Sequence, residues 1–167
     1  VTETVRYEIV DTSLGRLLVA VSDCGVCEAS FGESDADLVA ACARRFPGTE
    51  LTPADARAHE LAAALAEAVE DPGADRDIPL DLRGTAFQRD VWAELREIPA
   101  GSTIAYGELA RRVGRPAAVR AVAQACGANP VGVVVPCHRV IGADGSLTGY
   151  ASGVERKRAL LEREGAL

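Results

Sequence analysis

The chain lacks methionine at all 167 positions, position 1 included, which points to a processed chain or one excised from something longer. No run approaches the roughly 18 uninterrupted apolar residues that a membrane-spanning helix needs, so no membrane partner is expected. Val1–Val5 has no basic stretch leading into an apolar block, so it is not a signal peptide. The cysteine count is five, odd and scattered, which excludes a paired disulfide framework and argues for reduced thiols in a cytoplasmic setting. Histidine is scarce, with His59 and His138 alone, so a histidine-rich metal centre is excluded and no metal or cofactor is expected. Basic residues are few in the first half. Residues 1–80 carry 16 acidic against 6 basic side chains, whereas residues 101–141 carry one acid, Glu108, and five arginines. Any polyanion contact is thereby confined to the second half, although the net charge is −7.

What is present suits a soluble globular α+β protein, at 48% apolar and 26% charged residues. The expected division is 1–80 and 81–167. In the first part, Tyr7–Val10, Leu17–Val21 and Val26–Phe31 read as a small three-stranded sheet. Asp35–Phe46 and His59–Glu70 read as helices ended by Pro47-Gly48 and Asp71-Pro72-Gly73. Residues 71–84 read as a linker with one extended piece, Ile78–Leu82. The second part opens on Thr85 and Gln88 at capping-box spacing. Phe87, Val91, Trp92 and Leu95 then share one helical face. Tyr106–Val113, a tight Gly114-Arg-Pro116 turn and Ala117–Gly127 form a helix-turn-helix pattern. Val131–Val135 reads as a buried strand, and Gly153–Glu164 as a charged amphipathic helix.

Chemistry concentrates where that apolar run meets Pro136-Cys137-His138-Arg139. A thiol at a strand end behind a proline opens onto a pocket mouth, and the neighbouring cationic residues favour the reactive thiolate. Adjacent side chains in an extended segment point apart, so His138 reaches Cys137 through a water, with a carboxylate behind the imidazole to fix its tautomer. Glu162 and Glu164 both suit that carboxylate. Cys24-Gly-Val-Cys27 has redox-motif spacing but lies between two strands without a second ligand pair, so it reads as a turn. Arg120, early in the second helix of the pair, can reach a groove. Arg111, Arg112 and Arg115 suit phosphate contacts. Tyr106 can offer a phenol to a base or phosphate, and Asn129 can tie the helix pair to the reactive segment.

These residues resemble the O6-alkylguanine-DNA alkyltransferases, and most of all the C-terminal half of Ada adaptive-response proteins. The resemblance rests on RGTAFQ at 83–88, VW at 91–92, IPAG at 98–101, AYGELA at 105–110, RAVAQACGANP at 120–130, VVPCHRVIG at 134–142, GSLTGY at 145–150 and GVERKRALLERE at 153–164. It is strong over 83–164 and compatible over 1–80. It implies a ribonuclease H-like sheet unit and a winged-helix-like helix-turn-helix. It implies a monomer acting on alkylated double-stranded DNA, with single, irreversible transfer from O6-alkylguanine, and from O4-alkylthymine, to Cys137 after base flipping. It further implies that Arg120 fills the gap left by the flipped base. Tyr106 would aid rotation and bind guanine, and Asn129 would be a hinge. His138 and Glu164 would form a water-linked relay, Tyr150 would line the pocket, and the backbones of Cys137, Val140 and Ala151 would hold guanine's edges. A chain this acidic should bind DNA with marked salt dependence. Two rivals remain: a non-enzymatic lesion-sensing DNA-binding regulator and a Cys–His hydrolase.

Overall fold

The computed structural model describes residues 2–167. Its elements run β1 (Thr4–Thr12), β2 (Gly15–Val21), β3 (Val26–Gly32), α1 (Asp35–Arg45), β4 (Glu50–Pro53), α2 (Ala56–Glu70), α3 (Ala86–Leu95), β5 (Ile104–Ala105), α4 (Tyr106–Arg112), α5 (Val119–Gly127), β6 (Val140–Ile141) and α6 (Val154–Arg163). A single 3₁₀ turn, Cys137–Arg139, precedes β6. The α+β expectation holds.

The first sheet has four strands in the order β3-β2-β1-β4, not three. The added strand, β4, pairs parallel to β1 at the sheet edge. It is four residues long and ends on Pro53, so it has neither the length nor the alternation that marks a strand in sequence. Central β2 is buried on both faces. Leu17, Val19 and Val21 pack with α2 and with the second half of the chain, while Leu18 and Ala20 pack with Leu38, Cys42 and Phe46 around α1. One apolar core therefore runs from the sheet through Leu65 and Trp92 to Leu160.

Local chemistry sets the helix starts. Ser34 and Asp55 cap α1 and α2, and Thr85 with Gln88 closes the expected capping box of α3. Asp55 moves the start of α2 three residues ahead of the expected His59. The helix-turn-helix is present as α4 and α5, joined through Gly114 at φ +76°. Its second helix starts at Val119, so Pro116 lies in the turn and not in the helix's first turn. Trp92 donates its indole N–H to the Ala125 carbonyl at 2.8 Å, pinning α5 to α3.

The expected strand Val131–Val135 is absent. Val131 makes one bridge with Ala29, and the chain then coils, with Val133 in the left-handed region at φ 73°. The Val135 amide donates back to the Val131 carbonyl. Val131, Val133 and Val135 are all buried, so the apolar run is explained by a buried turn and not by a ladder. A left-handed β-branched residue is costly, of order 1–3 kcal/mol, and such strain gathers at functional sites.

Candidate active site

Asn129 organises the buried turn. Its Oδ1 accepts the Val131 amide at 3.0 Å, and its Nδ2 donates to the Val135 carbonyl at 2.8 Å. The same Nδ2 reaches Cys137 Sγ at 3.2 Å. One amide thus closes the turn and touches the sulfur, as expected of a tie between the helix pair and the reactive segment.

Cys137 stands on the 3₁₀ turn at 8% exposure, not on a strand end. It lines a cleft of about 180 Å³ shared with Phe31, Cys126, Asn129, Tyr150 and Ala151. Burial raises the thiol's pKa, against hydrogen bonding from Asn129, the positive charge of Lys157 and hydrogen bonding from Tyr150. Burial thus favours the protonated thiol, whereas neighbouring cationic residues were expected to favour the thiolate. Arg139 does not serve the sulfur at all. It faces Glu164, the Ile98 carbonyl and the Pro72 carbonyl.

His138 is fully buried and its Nε2 bonds Glu164. Glu164 also accepts from Arg139 Nε at 2.8 Å and Nη2 at 3.1 Å. Burial opposes the Glu164 carboxylate, but the bonds from His138 and Arg139 outweigh it and hold its pKa low. Burial pushes the His138 pKa down, more than Glu164 pulls it up. A neutral imidazole facing an ionised carboxylate must place its proton on Nε2. Nδ1 then carries a lone pair, is buried, and has no hydrogen-bond partner among the described residues. A lone pair held in that tautomer can accept a proton. The open choice of carboxylate resolves to Glu164, which closes α6 with its side chain buried, while Glu162 is exposed.

The short parallel pair β5–β6 brings the start of α4 beside the segment after Cys137. Tyr106 therefore sits half-buried, with its hydroxyl near Gly149. Burial, then the nearby Cys126 and Cys137, raise its pKa to about 12, so the phenol keeps its proton and can donate a hydrogen bond. Tyr150 and Ala151 line the cleft as expected. Val140 does not: it is buried, and its carbonyl accepts from Lys157 Nζ at 2.5 Å.

Arg120 is exposed on the second residue of α5 and makes no side-chain bond among the described residues. Arg111 and Arg112 are exposed but tied to Glu108 on their own helix, and Arg115 lies over the Phe87 ring at 5.7 Å. The exposed arginines share the helix-turn-helix, and Cys137 lines a cleft to which the end of α5 contributes Cys126 and Gly127.

Sequence reasoning missed Lys157. It is fully buried, bonds Val140, and lies 5.8 Å from the ring centres of both Tyr106 and Tyr150. The signal was available: it shares the buried stripe of α6 with Leu160 and Leu161, at i+3 and i+4. It also missed the cleft residues from the first half, Ser30, Phe31 and Arg45, and no local pattern marks those. Cys24-Gly-Val-Cys27 is the turn expected, with Cys24 exposed and Cys27 buried. Among the described residues no His/Cys/Asp/Glu group suits a metal ion, and no helix is long and apolar enough to cross a membrane.

Known proteins resemble this arrangement. The family described as 6-O-methylguanine DNA methyltransferase, DNA binding domain, matches residues 86–166. The bifunctional transcriptional activator/DNA repair enzyme Ada of Escherichia coli (strain K12) is 45% identical over 160 residues, covering 96% of this chain and 45% of that protein. A methylated-DNA–protein-cysteine methyltransferase of Mycobacterium tuberculosis (strain H37Rv) is 60% identical over 88 residues, or 53% of each chain. The chain thus spans about half the length of the curated relatives it matches. The crystal structure of Mycobacterium tuberculosis O6-methylguanine methyltransferase superposes with TM-score 0.78 at 38% identity, covering 96% of this chain and 93% of that one. The structure of Mycobacterium tuberculosis OGT in complex with DNA gives TM-score 0.79 at 40% identity, covering 97% and 92%.

Proposed function

We propose that this chain, which belongs to the O6-methylguanine DNA methyltransferase family, repairs DNA by moving the alkyl group of O6-alkylguanine onto the sulfur of Cys137. The observation that carries the reading is the buried His138–Glu164 pair next in sequence to Cys137, which lines a cleft, with Nδ1 of His138 free to take a proton. A water passes the thiol proton to Nδ1. Sulfur attacks the alkyl carbon in line, an S–C bond forms, and the C–O bond to guanine breaks. The proton taken from sulfur passes back through water to the leaving purine, so that guanine leaves neutral, while the Tyr106 phenol donates a hydrogen bond to the ring. Water cannot cleave the resulting thioether, so each chain reacts once. A hydrolase would need a labile thioester and an oxyanion site instead.

The target atom lies inside a duplex, so the nucleotide must leave the stack to reach Cys137. Arg120, exposed and unengaged, takes the vacated space. Arg111, Arg112 and Arg115 hold phosphates, the first two exchanging Glu108 for DNA. Tyr150 and Ala151 bound the base. O4-alkylthymine presents the same alkyl–oxygen bond and is a second substrate. Residues 81–167 carry acceptor and DNA contacts in a winged-helix-like unit. Residues 1–80 form the ribonuclease H-like unit that supplies one wall of the cleft. The protein acts as a monomer, in the cytoplasm, on alkylated double-stranded DNA.

The test is intact and peptide mass after incubation with a duplex containing O6-methylguanine. One methyl per chain, on Cys137, is expected. Transfer to another residue or repeated turnover contradicts the reading, and tight binding without a mass change favours the lesion-sensing regulator.

A further inference from the structure

The wall of the cleft formed by Tyr150, Ala151 and Ser152 belongs to a long irregular segment between β6 and α6. Gly145, Gly149 and Gly153 all lie in the left-handed region there, and the segment's own backbone hydrogen bonds are local turns that do not reach the N-terminal half. Something outside it must fix its distance from the opposite wall, where Ser30 and Phe31 of β3 stand.

Arg156, on the first turn of α6, spans that distance. Its Nε donates to the Leu14 carbonyl in the β1–β2 turn at 2.8 Å. Its Nη1 donates to the Ser152 carbonyl at 3.1 Å, and its Nη2 to Glu33 Oε1 at 3.2 Å. The guanidinium lies over the Phe31 ring, 4.9 Å from its centre. A planar fork is needed to serve two carbonyls in different directions while stacking on a ring, and lysine cannot do it. The β1–β2 turn accommodates it: a Cβ on Gly15 would stand 2.9 Å from Nη2.

We infer that Arg156 is a positioning residue that clamps the Tyr150–Ser152 wall to the N-terminal half and so sets how far the cysteine cleft opens. The N-terminal half thereby gains a definite part in the reaction: it is the fixed jaw against which the irregular wall is held. The inference rests on Cys137 being the alkyl acceptor only for its effect on transfer; the clamp itself can be read without substrate.

The experiment uses the full chain and two readouts. Iodoacetamide labelling, followed by peptide mass, reports access to Cys137, with buried Cys27 and Cys42 in the sheet unit as internal controls. Arg156→Ala should speed labelling of Cys137 about fivefold and leave Cys27 and Cys42 unchanged. Methyl transfer from a saturating O6-methylguanine duplex should fall about tenfold, while affinity for the unmodified duplex stays within twofold. Arg156→Lys, which keeps the charge and the stem but loses the fork, should give about half of each effect on a logarithmic scale. It carries the test if the alanine variant does not fold. Unchanged Cys137 labelling in either folded variant overturns the clamp. So does a parallel rise at all three cysteines, since that reports a loosened fold. Faster Cys137 labelling in Arg156→Ala, combined with no methyl on Cys137 in the unsubstituted protein, supports the clamp and defeats the acceptor reading, so the two failures are distinct.

Discussion

Replacing Glu164 with Gln tests the relay at its far end, well away from sulfur and DNA. The carboxylate is fully buried and accepts three donors: Nε2 of His138 and both Nε and Nη2 of Arg139. An amide can accept on one side only. If its oxygen faces Arg139, its NH2 faces Nε2 and forces the imidazole proton onto Nδ1, which abolishes the base. If its oxygen faces His138, its NH2 confronts a guanidinium that is itself only 10% exposed. Breaking a buried ion pair from one side costs about 3–5 kcal/mol. Arg139 keeps the Ile98 and Pro72 carbonyls, so the lower end, about 3 kcal/mol, is expected in urea unfolding. Loss of a positioned general base costs about 10²–10⁴ in rate. Since the remaining amide can still hold the correct tautomer part of the time, about 100-fold is expected, or about 2.7 kcal/mol of barrier. The assay is single-turnover transfer of a labelled methyl from an O6-methylguanine duplex at saturation, with duplex affinity by fluorescence anisotropy as a control that should not move. The decisive comparison is with His138→Asn and the double variant. Residues acting as one unit are not additive, so the double variant should be no slower than His138→Asn alone by more than about threefold. A folded Glu164→Gln protein with an unsubstituted rate, or fully multiplicative losses in the double variant, refutes the relay.

Arg120→Ala removes an exposed, unengaged side chain, so stability should change by less than about 0.5 kcal/mol. Transfer from duplex should fall about 100-fold while reaction with free O6-benzylguanine stays comparatively intact; equal losses on both would remove Arg120 from base extrusion. Asn129→Ala leaves the Val131 amide unpaired, at about 1–3 kcal/mol, takes one of two donors from the Val135 carbonyl, which keeps the Cys137 amide, and frees the sulfur. Urea midpoints and transfer rate should fall together, and an unaffected urea midpoint would show that the turn does not depend on this amide. For pH, burial holds the His138 imidazole below its ordinary 6.5, so Nδ1 stays a base well into mild acid. Transfer should stay flat from pH 8 down to about 6.5 and drop only below it; a fall already half complete at 6.5 means the imidazole is not depressed. The unfolded chain binds the extra proton first, so the His138 contribution to stability is complete above 6.5 and is lost as pH falls toward the lower folded value. The low Glu164 pKa acts in the same direction further into acid, with its contribution complete above 4.5.

The parts of the fold that the sequence disclosed are those whose signals are local. Thr85 and Gln88 mark the start of α3 because a cap needs only four neighbouring residues, and Gly114 marks the turn because it needs only one backbone angle. The parts that stayed hidden depend on distant partners. β4 exists because β1 offers it an edge, not because Glu50–Pro53 favours extension. Val131–Val135 has the composition of a strand, yet Asn129 bonds at both ends and the single bridge to Ala29 leave the rest of it as a turn. At the site, Cys137, His138 and Asn129 were legible because the chemistry lies within nine residues. The residues alone narrowed the carboxylate to Glu162 or Glu164, and only the family resemblance singled out Glu164, since which of them meets His138 is decided by the phase of α6 where it packs on the 3₁₀ turn. Lys157 looked like one charge among many on α6, although its phase with Leu160 and Leu161 placed it inside.

On the proposed reaction each chain is consumed once, which gives it reason to keep its sulfur quiet. A preformed thiolate would be alkylated or oxidised by any small electrophile that reached it. Here burial raises the Cys137 pKa and limits its exposure to 8%. The means of activation lie alongside but are held in reserve: Nδ1 of His138 keeps its lone pair, and the positive charge of Lys157 favours the thiolate without producing it. A flipped base filling the cleft would exclude solvent and deliver its electrophilic carbon to the sulfur at the moment the proton moves. Discrimination then lies in the coincidence of base, cleft and relay and not in the reactivity of the thiol. On the proposed reaction, the same burial which slows the free thiol would let one accepted alkyl group stand for one repaired lesion.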